Sequence, residues 1–305
     1  ALKQHNCIAL LGPTASGKTR LACLLASHLQ GEIISADSRQ VYRRLNIGTG
    51  KDLEEYRVNG AHIPYHLIDV AEPGTQFYLH EFMQALTVCF NDIVYRNKMP
   101  IICGGTGLYL DALRKDFSLT QIPENHTLRN ELEHLDKNDL VQRLQIFPAQ
   151  HVAGIDTSSK KRIIRGIEIA TFLAMHPGHV KPQQLPYRPL YIGIKPDPEK
   201  RRMNISHRLT HRLNNGLIEE ARDLLADSMT HEQLQRLGLE YKFLSLFLQN
   251  KITYMQLQQQ LETAIFQFAK RQMTWFRKME KESVTIHWVE KNYNLNELLA
   301  LIAKS

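Results

Sequence analysis

Cysteine is scarce in this 305-residue chain. There are four, Cys7, Cys23, Cys89 and Cys103; none forms a Cys-x-x-Cys pair and none follows Cys103. That excludes a disulfide scaffold and a cysteine-built zinc site. Such widely spaced cysteines in apolar surroundings read as reduced core residues of a cytosolic protein. Long apolar runs are also missing, and none approaches the roughly 18 residues of a membrane-spanning helix. Residues 1–7 lack the shape of a signal peptide, so a cytoplasmic location is expected; without an initiator Met, a residue or more is expected to precede Ala1. No Ser–His or Cys–His nucleophile pattern is present. What remains, 43% hydrophobic and 23% charged residues, is the composition of a globular protein with one large core or two smaller ones.

The net charge is +7. The excess is clustered: Lys160, Lys161, Arg162 and Arg165; Lys200, Arg201, Arg202, Arg208 and Arg212; Lys270, Arg271, Arg277, Lys278 and Lys281. Such clusters suit a polyanionic partner, and they equally suit solvated helix faces.

Periodicity divides the chain. Cys7–Leu11 is a short apolar run of the kind a buried parallel strand needs, and residues 18–29 carry Leu21, Leu24, Leu25 and Leu29 at helical spacing. A strand over 32–35, a helix over 77–96 and a strand over 99–103 follow. This order predicts an α/β fold, a doubly wound parallel sheet of P-loop NTPase type with ligands at the carboxyl ends of the strands. Over 118–188 strand signals vanish. Helices are predicted at 126–135, 138–147 and 158–175, then a linker marked by Pro182, Pro186 and Pro189. The predicted organisation is therefore a core of 1–117 and 189–305 with an all-helical insertion at 118–188. In the second part of the core, residues 190–194 read as a strand, 198–226 and 253–281 as long helices, and 284–289 as an edge strand.

Gly12-Pro13-Thr14-Ala15-Ser16-Gly17-Lys18-Thr19 matches the phosphate-loop pattern between a strand and a helix. Its backbone N–H groups and the helix N-terminus suit a diphosphate; Lys18 adds a cation, and the Thr19 hydroxyl is placed to ligate Mg²⁺. The motif specifies diphosphate binding and not hydrolysis. Asp37 follows the second strand, where a carboxylate serves as general base, metal ligand or helix cap. The strand at 99–103 ends in Gly104-Gly105-Thr106-Gly107 where a Walker B strand would end in an acid. Those glycines allow close backbone approach to a ligand, or simply a tight turn. Asp69 is a weak Walker B candidate. His207 and His211 have metal-ligand spacing but no Cys or carboxylate companions, which argues against zinc; His62 and His66 read as loop residues.

Four segments occur in this order: 12–19, 35–42 (Ser-Ala-Asp37-Ser38-Arg39-Gln40-Val-Tyr), 104–109 and 269–277 (Ala-Lys-Arg271-Gln-Met-Thr-Trp-Phe-Arg). Together they resemble the tRNA dimethylallyltransferase family, bacterial type, over about 5–290. The resemblance implies transfer of a dimethylallyl group from dimethylallyl diphosphate to N6 of the adenosine 3′-adjacent to the tRNA anticodon, with release of diphosphate and Mg²⁺ as cofactor. It implies that Asp37 is the base, that Thr106 orients the amine or the bridging oxygen, and that Lys18 joins them in catalysis. Gly12, Pro13, Thr14, Ala15, Ser16, Gly17, Lys18, Thr19 and Arg271 would hold the diphosphate, with Thr19 on the metal. Asp37, Ser38, Arg39, Gln40, Thr106, Arg129, Lys161, Arg162, Ile163, Ile164, Arg165 and Gly238 would contact tRNA, the insertion engaging the anticodon stem-loop of a monomeric enzyme. Two segments depart from the family pattern. Asn-Asp-x-x-Arg is replaced by residues 156–162, and Gly-Tyr-Lys/Arg-Glu by Gly238-Leu-Glu-Tyr-Lys242. Rival readings are prenylation of free AMP, ADP or ATP, a P-loop small-molecule kinase, and a non-enzymatic RNA-binding protein.

Overall fold

The strand β1 (Cys7–Leu11) is buried at every position, and the chain turns from it into helix α1 (Lys18–Leu29). The structure is a computed structural model that describes residues 4–180, 184–195, 197–290 and 292–304; the expected linker residue Pro182 lies outside them. Strand β2 (Gly31–Ser35) follows, then a small antiparallel hairpin of β3 (Arg57–Val58) and β4 (Ala61–His62), and the two-residue β5 (Tyr65–His66). Helix α2 (Leu79–Tyr95) is opened by Glu81, whose carboxylate accepts the Tyr78 N–H at 2.9 Å, and buries Phe82, Leu86, Phe90 and Ile93, one stripe at helical spacing. Strand β6 (Met99–Gly104) and the short α3 (Gly107–Asp111) come next.

Contacts divide the chain into two compact units: 1–114 with 186–305, and 115–185. Within 115–185 lie α4 (His126–Glu133), α5 (Lys137–Gln145), α6 (Ala149–Val152) and α7 (Lys160–Met175). Asn125, Asp136 and Ser159 cap α4, α5 and α7 with their side chains. The unit has its own core, in which Leu132, Leu140 and Leu144 meet Ile163, Ile164 and Ile167.

The chain then re-enters the sheet as β7 (Pro189–Ile194). Helices α8 (Pro198–Asn214), α9 (Leu217–Ala226), α10 (His231–Arg236), α11 (Leu239–Leu248) and α12 (Tyr254–Lys281), strand β8 (Ile286–Val289) and helix α13 (Leu295–Lys304) complete it. The single helix expected over 198–226 is two helices. Gly216 takes a left-handed φ of 95° between them, which the apolar spacing on either side hides.

Six strands form one parallel sheet in the order β5-β2-β6-β1-β7-β8. Ile8, Leu10, Ile33, Ile101 and Ile192 pack with Leu21 and Leu25 of α1 on one face. Their neighbours Ala9, Leu11, Ile34 and Ile102 are equally buried and point to the other face. Both faces are covered, as a parallel sheet requires. The expected edge strand is β8. All four cysteines are free, and only Cys89 is not fully buried. Among the described residues no helix is long and apolar enough to cross a membrane.

Candidate active site

Strand register brings three sequence-distant loops to one end of the sheet. Leu11 pairs with Gly104 across β1 and β6, and Ser35 pairs with Cys103 across β2 and β6. The phosphate loop, the Gly104–Gly107 turn and Asp37 therefore leave neighbouring strands at their carboxyl ends, beside β1, from which the chain departs first to one side and later to the other. The close approach is literal: a Cβ on Gly104 would lie 2.1 Å from the Ala36 carbonyl oxygen. The Ala36 N–H donates to Cys103 O at 2.8 Å, and the Ser38 N–H donates to Thr106 Oγ1 at 3.0 Å. Thr106 thus binds the residue after Asp37, and its own hydroxyl faces Ser38 Oγ at 3.4 Å.

In the phosphate loop, Ala15 (φ 61°) and Gly17 (φ 85°) are both left-handed, the backbone habit that turns successive N–H groups inward. Helix α1 has no side-chain N-cap, so its first amides are available to an anion. Lys18 forms no ion pair among the described residues. Burial lowers its pKa from the ordinary lysine value, with Cys103 and Asp37 opposing the shift. A desolvated ammonium without a partner favours an anionic ligand.

These groups open on a cavity of about 910 Å³. Thr14, Ala15, Gly17, Lys18 and Thr19 line it, as do Asp37, Arg39, Gln40, Gly238 and Arg271 from the expected site. Gly12, Pro13, Ser16, Ser38 and Thr106 do not. The Ser16 hydroxyl is buried beside Gly12 without a hydrogen-bond partner. Ile265 and Phe268 of α12 supply an apolar wall. Asp37 Oδ1 accepts the Arg39 N–H at 2.9 Å, a local turn that orients the carboxylate. Gln40 links Ser35 to the Gly50 carbonyl, and Arg39 donates to Arg236 O at 3.1 Å, next to Gly238.

The structure adds roles that the sequence left open. Arg208 and Arg212, one turn apart on α8, both pair with Asp52. Burial, with Arg208 beside it, lowers the Arg212 pKa, while Asp52 opposes. Glu220 accepts three backbone N–H groups, from Asn46, Ile47 and Gly48, together with the Tyr241 hydroxyl at 2.6 Å. Tyr241, whose place in the altered Gly238–Lys242 segment had no assigned role, thus braces the 46–48 loop.

Three expectations change. Asp69 is no Walker B acid: its carboxylate pairs with the buried Lys51, and its strand is only the two residues of β5. Ile163 and Ile164, expected among RNA contacts, have their side chains in the core of 115–185. Arg165 turns inward: it donates to Ile122 O at 2.5 Å and sits 3.4 Å from the buried Glu168, which also holds Arg129 at 2.7 Å. Arg162, one turn earlier on α7, stays outward, on Asp156 at 2.5 Å and Ser158 Oγ at 2.8 Å.

Among the described residues no group of three or more His, Cys, Asp or Glu side chains is placed to hold a metal ion. His207 and His211 line the cavity beside the arginines and without such a group. The hard oxygen donors Thr19 and Asp37 fit a Mg²⁺ that takes one or two protein oxygens and completes its shell with phosphate and water; they do not fit zinc.

The model of the IPP transferase family matches residues 40–279, and that of an isopentenyl transferase family matches residues 5–63. The chain is 44% identical over 302 residues to tRNA dimethylallyltransferase 2 of Bacteroides fragilis, covering 99% of this chain and 98% of that one. It is 46% identical over 289 residues to tRNA dimethylallyltransferase 2 of Trichlorobacter lovleyi, covering 93% and 92%. The crystal structure of the full-length tRNA isopentenylpyrophosphate transferase of Bacillus halodurans superposes with a TM-score of 0.69 at 30% identity, covering 98% and 94%. A eukaryotic dimethylallyltransferase acting on tRNA shares the fold at a TM-score of 0.74 and 22% identity, over 93% of this chain and 73% of that one. By sequence over its whole length and by fold, this chain belongs to the IPP transferase family, that of the tRNA dimethylallyltransferases.

Proposed function

We propose that the chain transfers the dimethylallyl group of dimethylallyl diphosphate to N6 of the adenosine immediately 3′ of the tRNA anticodon, releasing diphosphate. One observation carries this reading: a phosphate loop, a half-buried lysine with no ion pair among the described residues and a carboxylate meet in one cavity that also has an apolar wall. An exocyclic adenine amine is a weak nucleophile. It must lose its proton as it attacks, and the leaving diphosphate must have its charge met.

Asp37 takes the N6 proton. The bond from N6 to the allylic carbon forms as the carbon–oxygen bond to the diphosphate breaks, and the electron pair leaves with that oxygen. Lys18 and the loop amides, with Thr14 and Arg271, receive the growing charge. Thr106 holds the turn against Ser38 and so sets the height of Asp37. Thr19 would hold Mg²⁺, which when bound neutralises part of the diphosphate charge. Ile265 and Phe268 shelter the prenyl tail from water.

The target base must leave its stack, at a cost of roughly a few kcal/mol. The core offers Arg39, Gln40 and Gly238 at its cavity to the RNA; the 115–185 unit, taken by itself, offers Lys161 and Arg162 on the exposed start of α7. Arg129, Arg165, Ile163 and Ile164 support that surface from within. A tRNA substrate accords with a cytoplasmic monomer.

The test is direct. The protein is incubated with Mg²⁺, dimethylallyl diphosphate and either unmodified tRNA or AMP, and the prenylated adenosine is sought by mass spectrometry. Product on tRNA alone is expected; product on AMP alone overturns the assignment.

A further inference from the structure

Gln272 lies on α12, outside the loops that carry the chemistry, yet its side chain joins two of them. Its Oε1 accepts the Thr14 N–H at 2.8 Å, and its Nε2 donates to the Gly105 carbonyl at 2.9 Å. The residue is 6% exposed. The fit has little slack: a Cβ on Gly105 would lie 2.2 Å from Nε2. The carboxamide's orientation is set by its partners, since only an amide oxygen can accept from Thr14 and only an amide nitrogen can donate to Gly105. Thr14 belongs to the phosphate loop, Gly105 begins the turn that carries Thr106, and Arg271 precedes Gln272 on the same helix and lines the cavity.

We propose that Gln272 is a positioning residue for prenyl transfer: its carboxamide clamps the phosphate loop to the Gly104–Gly107 turn, and so fixes the distance between the diphosphate cradle and the Asp37 side of the cavity. The proposal rests on the prenyl-transfer reading for its activity readout and not for its binding readout. In an active site, displacement of a group by about 1 Å costs on the order of 10²-fold in rate, so a single buried carboxamide joining both walls has leverage that its stability contribution does not reveal.

The clamp has a chemical fingerprint. In Gln272→Glu the carboxylate still accepts from Thr14 but repels the Gly105 carbonyl oxygen and places a negative charge beside the phosphate loop. Protonated, the same carboxyl has one oxygen that accepts and one hydroxyl that donates, and it reproduces the amide's pattern. The charged and titratable groups facing the same cavity include Lys18, Asp37, Arg39, Asp52, Glu55, His207, Arg208, His211, Arg212, Glu240, Lys242 and Arg271. They are common to both proteins, so the ratio of variant to wild type at each pH cancels their titration.

The experiment measures binding of inorganic diphosphate with Mg²⁺ by calorimetry, and kcat and KM for dimethylallyl diphosphate, in wild type, Gln272→Glu and Gln272→Met, from about pH 5.5 to about pH 8.5. At the alkaline end Gln272→Glu is expected to bind diphosphate at least about tenfold more weakly and to turn over about 10²-fold more slowly. Both ratios are expected to recover toward unity as the pH falls. Gln272→Met, which has neither bond, should show a pH-independent loss in kcat while tRNA affinity stays near wild type. Ratios that stay flat with pH in Gln272→Glu, or a Gln272→Met protein with wild-type kcat, would overturn the clamp. Recovery of diphosphate binding in proteins with no prenylation of tRNA at any pH would keep the clamp and sink the prenyl-transfer reading.

Discussion

Arginines in two regions of this molecule look alike in sequence and behave differently in the fold. On α8, Arg208 and Arg212 lie one turn apart, point into the main cavity and share the carboxylate of Asp52, which is itself partly open to solvent. In 115–185, Arg129 and Arg165 also share one carboxylate, but theirs is Glu168, whose side chain is 1% exposed. Glu168 additionally accepts the Asn125 N–H at 2.8 Å, and Arg165 is held by two backbone carbonyls, those of Ile122 and Pro123. The first pair borders a ligand space, whereas the second holds a small helical unit together. A run of basic residues therefore says little about an anion-binding surface until the carboxylates that answer it are located. One buried glutamate is enough to recruit two arginines inward, because an unpaired charge there would be intolerable.

The sharpest way to break this contrast acts on the catalytic side. Asp37→Asn keeps the shape of the turn at Arg39 but cannot accept a proton. Turnover on tRNA is expected to fall about 10²–10⁴-fold, with dimethylallyl diphosphate bound as before. Single-turnover kinetics beside calorimetry would check this; turnover within about threefold of wild type when chemistry limits the rate would remove Asp37 from the role of base.

The next effect falls on stability. Glu168→Ala takes one partner from each of two arginines, leaving Arg129 on Glu124 and Arg165 on two carbonyls, and leaves the Asn125 N–H without its acceptor; breaking such a buried pair typically costs about 3–5 kcal/mol. Denaturant unfolding followed by a probe within 115–185 should show that loss. An unchanged midpoint would mean that the arginines find water in its place. The smallest effect separates Arg162 from its neighbour. Arg165→Ala removes bonds to two carbonyls and a buried carboxylate and should lower stability by about 1–3 kcal/mol. Arg162, whose side chain is more than half exposed and is held by exposed Asp156 and the Ser158 hydroxyl, should contribute about 0–1 kcal/mol to folding. Its replacement by Ala should instead weaken tRNA binding and flatten the salt dependence by about 0.7–0.9 log–log unit for a lost phosphate contact. If the two variants exchange these behaviours, the contrast drawn from Glu168 is wrong.

What the sequence made legible follows the range over which each signal acts. The phosphate loop and the strands β1, β2, β6 and β7 are local patterns: short apolar runs, then turn residues. That Thr106 reaches Ser38, the residue after Asp37, depends on β2 and β6 being neighbours, which the alternation of strand and helix implies but does not order. Other features escaped because their cause lies elsewhere in the chain. Glu168 reads as one more polar residue on a helix until α4 packs beside it. Arg212 and Asp52 are 160 residues apart. Gln272 carries no periodic signal, because a glutamine on the buried face of α12 looks like a lapse in the apolar stripe and is a hydrogen-bonded bridge. The break at Gly216 was masked by apolar residues that keep helical phase on both sides, and α13, opened by Asn294 with Glu297 three residues on, joins the sheet's core cluster through Leu298.

The central claim is that the phosphate loop of this cavity holds a prenyl diphosphate and not a nucleoside triphosphate for phosphoryl transfer. Calorimetric titration of the wild-type protein and of Lys18→Ala with dimethylallyl diphosphate and with ATP, each with Mg²⁺, tests it most directly. Dimethylallyl diphosphate should bind more tightly than ATP to the wild type, and Lys18→Ala should lose at least about tenfold of that affinity, since the half-buried ammonium has no ion pair among the described residues and is answered by the ligand. Tight binding of ATP with no detectable binding of dimethylallyl diphosphate would contradict the account.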